Sequence, residues 1–96
     1  MIYRESGRTR AAEPLLNQAL AIHRGNHDLR LEGLCLADRA VLRVLTGRLD
    51  AARRDWSEGR SLLERVRCAD DVAQKREEIR KACASRGVAQ FGDGPA

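Results

Sequence analysis

At 96 residues the chain has room for one small domain, burying only about 60–65% of its unfolded surface. Its apolar fraction of 43% comes from Leu, Ala and Val, with one Trp, one Tyr and one Phe, and it holds no run long enough to span a membrane. The net charge is +4, but the 14 acidic residues are interleaved with the 18 basic ones; that pattern reads as solvated helix faces and argues against nucleic acid, which needs a one-sided basic stripe.

The opening segment, Met1 to Ser6, lacks the apolar core of a signal peptide, which points to a cytoplasmic location. It supplies little more than one helical turn, with Tyr3 placed where a packed aromatic would fall in a preceding helix. A first helix is expected from Thr9 to Arg24, with Thr9 as N-cap and Gly25-Asn26 as stop. Ala12, Leu15, Leu16, Ala19, Leu20 and Ile22 form one broad apolar face on it, and Pro14 near its first turn shapes the entry without breaking the helix. With so little chain before it, this helix has no partner on one side. That leaves two expectations: the chain is the C-terminal piece of a longer protein, or another chain covers the face, as in a homodimer through the N-terminal helical face.

A second helix is expected from Asp28 to Thr46, capped by Asp28 and ended by Gly47. Its apolar positions, Leu31, Leu34, Leu36, Ala37, Ala40, Val41, Val44 and Leu45, are spread widely enough to touch two neighbours at once. The third, Asp50 to Arg67, has the cleanest stripe: Leu49, Ala52, Trp56, Gly59, Leu63 and Val66. Glycine inside a helix costs about 1 kcal/mol against alanine, so Gly59 marks a close helix crossing. The fourth, Ala69 to Ser85 with Asp70 as N-cap, shows a thin apolar face of Val72, Ile79, Ala82 and Cys83 amid charges, as suits the polar outer surface of a terminal unit. Residues 89–96 read as a flexible tail.

Gly7, Gly47 and Gly87 stand 40 residues apart, and Gly7-Arg8-Thr9-Arg10-Ala11-Ala12 echoes Gly47-Arg48-Leu49-Asp50-Ala51-Ala52. A fixed period in this range is the mark of stacked helical units. Gly7, Ala12, Leu16 and Ala19 in one unit and Gly47, Ala52, Trp56 and Gly59 in the next, with Glu32-Gly33 and the run Asn17 to Ile22, resemble the tetratricopeptide-repeat family in its long bacterial form. The resemblance covers residues 1–88. It implies an all-α fold: antiparallel helical hairpins in a right-handed solenoid, about one and a half to two repeats plus a C-terminal capping helix. It further implies a non-catalytic scaffold that binds a protein or peptide.

Where such repeats carry an apolar residue and an aromatic, eight and four positions before the glycine turn, this chain carries Arg39 and Arg43. With Asp38 beside them they form the candidate partner-binding site, an arginine pair that receives a carboxylate by bidentate hydrogen bonds. The competing reading is internal ion pairing to Asp55, Glu58 or the acids of the fourth helix. The second helix, Asp28 to Thr46, is the expected ligand-facing element.

Nothing in the sequence points to catalysis, a cofactor or a metal. His23 and His27 are separated by a helix stop and read as loop residues; Cys35, Cys68 and Cys83 form no CxxC pair, and Cys35 and Cys83 read as small core residues. Asp70-Asp71 and Glu77-Glu78 are neighbours on a helix and diverge by about 100°, too far to act as an acid–base pair. Two alternatives stand beside the interaction module: a structural C-terminal cap of a longer repeat protein, and nucleic-acid binding through the arginines.

Overall fold

The computed structural model describes residues 7–91. They form four helices joined by three-residue turns: α1 (Gly7–Gly25), α2 (Leu29–Leu45), α3 (Leu49–Arg65) and α4 (Ala69–Arg86). Short turns force each helix antiparallel to the one before it. The described residues are helix, turn or irregular chain, with no strand among them.

The helix ends share one construction. At His27, Gly47, Arg67 and Gly87 the backbone is left-handed, with φ of 55°, 81°, 60° and 68°. Each of these residues donates its N–H to the carbonyl three back, and the next residue donates to the carbonyl five back. At the first turn these are His27 to Arg24 (3.1 Å) and Asp28 to His23 (2.9 Å); at the third they are Arg67 to Glu64 (3.1 Å) and Cys68 to Leu63 (2.9 Å). This is the Schellman motif, which satisfies the last helical carbonyls. It recurs every 20 residues, so the visible glycine period of 40 is twice the structural one. Gly7 does not take part as a turn residue: it is helical, within α1, whereas Gly47 lies two residues before α3 begins.

Asp28 caps α2 as expected, accepting the Leu31 N–H at 3.0 Å. Two other expected caps fall elsewhere. Thr9 lies inside α1, which begins at Gly7, and the N-cap of α4 is Cys68, so Asp70 sits in the first turn. At α4 the preceding Schellman turn fixes where the helix starts, and side-chain preference yields to it. Asp70 and Asp71 still favour the positive end of the α4 dipole.

α2 is the central helix, packed against each of the other three, while α3 and α4 meet over a small area. The main core joins Ala37, Ala40 and Val44 of α2, Ala52, Trp56 and Leu63 of α3, and Val72, Ile79, Ala82 and Cys83 of α4. A smaller cluster of Leu20, Cys35 and Leu36, with Leu16, Ala19 and Leu62 against it, attaches α1. Burial pushes the Cys35 and Cys83 thiols up, as expected of small core residues.

The tightest approach is between α2 and α3, where Gly33 and Gly59 face each other. A Cβ on Gly59 would lie 2.8 Å from the Gly33 carbonyl oxygen, and one on Gly33 would lie 3.0 Å from the Gly59 oxygen. Gly59 therefore does mark a close helix crossing. Beyond α4, Val88 and Phe91 lie against the main core, and the Arg53 guanidinium sits 5.5 Å from the centre of the Phe91 ring. The chain thus remains packed past residue 88; residues 92–96 of the expected tail, and Tyr3, lie outside the described residues.

Candidate functional site

Arg39 and Arg43 lie one turn apart on α2 and converge on Asp55 of α3, which is 4% exposed. Arg39 donates to both carboxylate oxygens, Nε to Oδ2 at 3.0 Å and Nη2 to Oδ1 at 2.9 Å. Arg43 donates through Nη1 to Oδ2 at 2.9 Å. Further guanidinium donors turn to α1: Arg39 Nη1 to Asn17 Oδ1 at 2.9 Å, and Arg43 Nε to Glu13 Oε1 at 3.1 Å. Arg48, from the turn before α3, closes the set on Glu13 Oε2 at 3.0 Å.

A single buried carboxylate serving two guanidiniums leaves a local surplus of positive charge, and Glu13 balances it. The hydrogen bond from Arg48 is the largest influence holding the Glu13 carboxyl below its ordinary value, and Arg43 adds to it against a desolvation penalty. The Asp55 hydrogen bonds likewise hold Arg39 more firmly protonated. Among the described residues no buried side-chain nitrogen or oxygen lacks a hydrogen-bond partner. The internal ion-pair reading of these arginines is the one the geometry matches for Asp55. Glu13, Asn17 and Arg48 complete the set, and only the fold brings them near.

Asp38 does not join them. It faces α4, where its carboxylate accepts from Lys75 Nζ at 2.8 Å, with Glu78 on the other side of the same ammonium. Burial is the largest influence on Lys75 and works to lower its pKa, but Asp38 and Glu78 together outweigh it and raise it. Nearby, Asp71 takes Arg30 Nε at 2.9 Å, and that hydrogen bond is the main reason its carboxyl is held low. Glu77 pairs with Arg80 of its own helix.

Asp38, Arg39 and Arg43, the expected partner-binding residues, are thus each engaged in ion pairs within the chain. Along α2 only Arg30 and Leu31 are exposed; its other positions are buried or half-buried. The open apolar surface lies on α1 instead, where Leu15 is 64% and Ile22 is 60% exposed. The six apolar residues of α1 do not form one buried face. Leu16, Ala19 and Leu20 turn toward α2, and Leu15 and Ile22 point away from it. Elsewhere, two open depressions of ≈ 340 and ≈ 370 Å³ flank the α3–α4 turn and share Arg67 and Ala69. Among the described residues no three His, Cys, Asp or Glu side chains gather as metal ligands would, and no helix is long and apolar enough to cross a membrane.

No protein-family model, curated protein or solved structure matches this chain.

Proposed function

We propose that this chain is a non-catalytic protein–protein interaction module of the tetratricopeptide type, working in the cytosol and binding a protein or peptide through α1. The observation that carries this reading is the exposed Leu15 and Ile22, two large apolar side chains on one helix of a repeated hairpin. Large side chains held in water on a rigid helix favour association, because burying each one gains about 1.5–3 kcal/mol. Support for the repeat comes from the four equivalent turns at a constant interval. Photo-crosslinking in cells tests the reading. A photoreactive residue at position 15 is expected to trap a distinct polypeptide, whereas one at the exposed Arg54 on α3 is not. Absence of any adduct specific to position 15 would remove the interaction reading.

A second reading is that the chain caps a longer array. It draws on Val88 and Phe91, which fold over the core beyond α4 and occupy the surface a further hairpin would need. In that case the α1 face would be covered by a preceding hairpin of the same polypeptide, and the crosslink at position 15 would be internal to that longer chain.

A further inference from the structure

The internal repeat allows the second hairpin, α3–α4, to be compared with the first. On the first, Arg24, Gly33 and Leu36 lie under α3: Arg24 pairs with Glu58, and Gly33 and Leu36 pack against Gly59 and Leu63. Forty residues on, Glu64, Ala73 and Arg76 stand in those places and line the depression of ≈ 340 Å³, together with Arg67, Ala69 and Val72. Three differences oppose a helix stacking there. Ala73 carries the methyl that at Gly33 would stand 2.9 Å from Leu63 Cγ and 3.0 Å from the Gly59 oxygen. Arg76 replaces Leu36, which is 0% exposed, so a stacked helix would desolvate a guanidinium. Beyond the turn at Gly87, residues 88–91 are irregular chain, whereas the matching turn at Gly47 leads into α3.

We infer that this depression is the docking site for a short extended segment of a partner protein, with one large apolar side chain seated on Ala69, Val72 and Ala73 and a neighbouring carboxylate held by Arg67 and Arg76. The charge at the rim carries the choice of occupant. Arg67 and Arg76 stand where the first hairpin has His27 and Leu36, so the cationic rim belongs to the open face alone. A guanidinium offers a planar set of donors that matches a carboxylate. Glu64, on the same rim, is drawn to Arg60 at 3.5 Å, which leaves the positive charge of the arginines in excess. The volume lies at the small end for ligand sites and suits one side chain.

The residues that follow in this chain suit the site poorly. Phe91 is held beside Arg53, near the start of α3, whereas the depression adjoins the α3–α4 turn at the other end of that helix. Gly92, Asp93, Gly94, Pro95 and Ala96 bring no large apolar side chain. The site also lies apart from Leu15 and Ile22, and it stands whatever covers α1.

The test is a heteronuclear NMR titration of the full chain with a blocked pentapeptide, Gly-Asp-Leu-Asp-Gly, and two relatives. One relative has alanine for leucine, and the other has asparagine for both aspartates. The parent peptide is expected to move the amide resonances of Ala69, Val72 and Ala73 with a Kd of about 1 mM or tighter. Each relative is expected to bind at least about fivefold more weakly. Arg67→Gln should weaken the parent peptide by a similar factor, and Ala73→Leu, at an exposed position, should abolish binding by filling the depression. Both variants should keep their helical circular dichroism, and Arg54→Gln, on the exposed face of α3, should bind as wild type does. The inference is overturned if no peptide moves those resonances at millimolar concentration, if the asparagine peptide binds as well as its parent, or if Arg54→Gln weakens binding as much as Arg67→Gln. It is also overturned if a chain ending at Phe91 binds the parent peptide several-fold more tightly, which would make residues 92–96 the occupant.

Discussion

A methyl group placed on Gly59 probes the α2–α3 crossing on which the core depends. The added carbon would stand 2.8 Å from the Gly33 carbonyl oxygen, 3.0 Å from Leu36 Cβ and 3.3 Å from the Ala37 nitrogen. Two of these three obstacles are backbone atoms, so no side-chain rotation relieves them and the helices must part. Even a gap of 0.5–1 Å forfeits about a quarter to a half of each dispersion contact, here among Ala37, Ala40, Trp56 and Leu63. Overpacking of this kind costs about 1–3 kcal/mol, against which alanine returns about 1 kcal/mol of helix propensity. Backbone obstacles put the cost in the upper part of that range, about 2–3 kcal/mol, so Gly59→Ala is expected to lose about 1–2 kcal/mol net, with each kcal/mol worth about 4–8 °C in Tm at this size. Urea unfolding followed by far-UV circular dichroism measures it. Gly25→Ala is the control: a Cβ there meets nothing within 4 Å, and the change should be neutral or gain up to about 1 kcal/mol. Gly33→Ala should also destabilise, and the double variant should lose less than the two singles added, because the helices need part only once. A Gly59→Ala protein as stable as wild type, beside a normal Gly25→Ala, would refute the close approach.

Three further expectations follow from the turns and the ion pairs. Replacing the left-handed non-glycine residues, by Arg67→Gly or His27→Gly, should raise stability by roughly 0.5–1 kcal/mol, and Gly87→Ala should lower it by about 1 kcal/mol, in the same urea assay. Asp55→Ala should cost about 2–4 kcal/mol by stranding two guanidiniums, whereas the triple change Arg39→Leu, Arg43→Leu, Asp55→Leu should return close to wild-type stability, as seen by thermal unfolding. The Glu13 carboxyl is held below its ordinary 4.5, so it adds stability that is complete above pH 4.5 and is lost as the pH falls through its folded value. Wild type should therefore exceed Glu13→Gln in Tm at neutral pH, and the gap should close on acidification.

Four helices, their order and most of their inward residues were legible because three- and four-residue apolar spacing survives in every segment. Ala52, Trp56, Gly59 and Leu63 are buried together, as are Val72, Ile79, Ala82 and Cys83. Periodicity alone did not divide the α1 stripe, because burial there depends on which side holds a neighbour, and Leu15 and Ile22 differ from Leu16 and Leu20 only in that respect. The 20-residue interval of the turns was half concealed, since His27 and Arg67 adopt a backbone conformation whose usual emblem is glycine. For the arginine pair, Asp55 was within reach of sequence reasoning at sixteen and twelve residues' separation. Glu13 and Asn17 were not: they meet the pair only because α1 folds back along α2.

The equal spacing of the left-handed turns also bears on how such a chain changes over generations. Each turn resets the helical phase, so the residues of one unit meet the next in a fixed rotational register. An in-frame duplication or loss of one whole hairpin in the coding sequence would keep that register and lengthen or shorten the protein without redesign. A single inserted codon within a helix would instead turn every side chain after it by about 100°, as far as the next reset. Selection acting on this architecture therefore meets two very different classes of length mutation, and the turns at 27, 47, 67 and 87 draw the line between them.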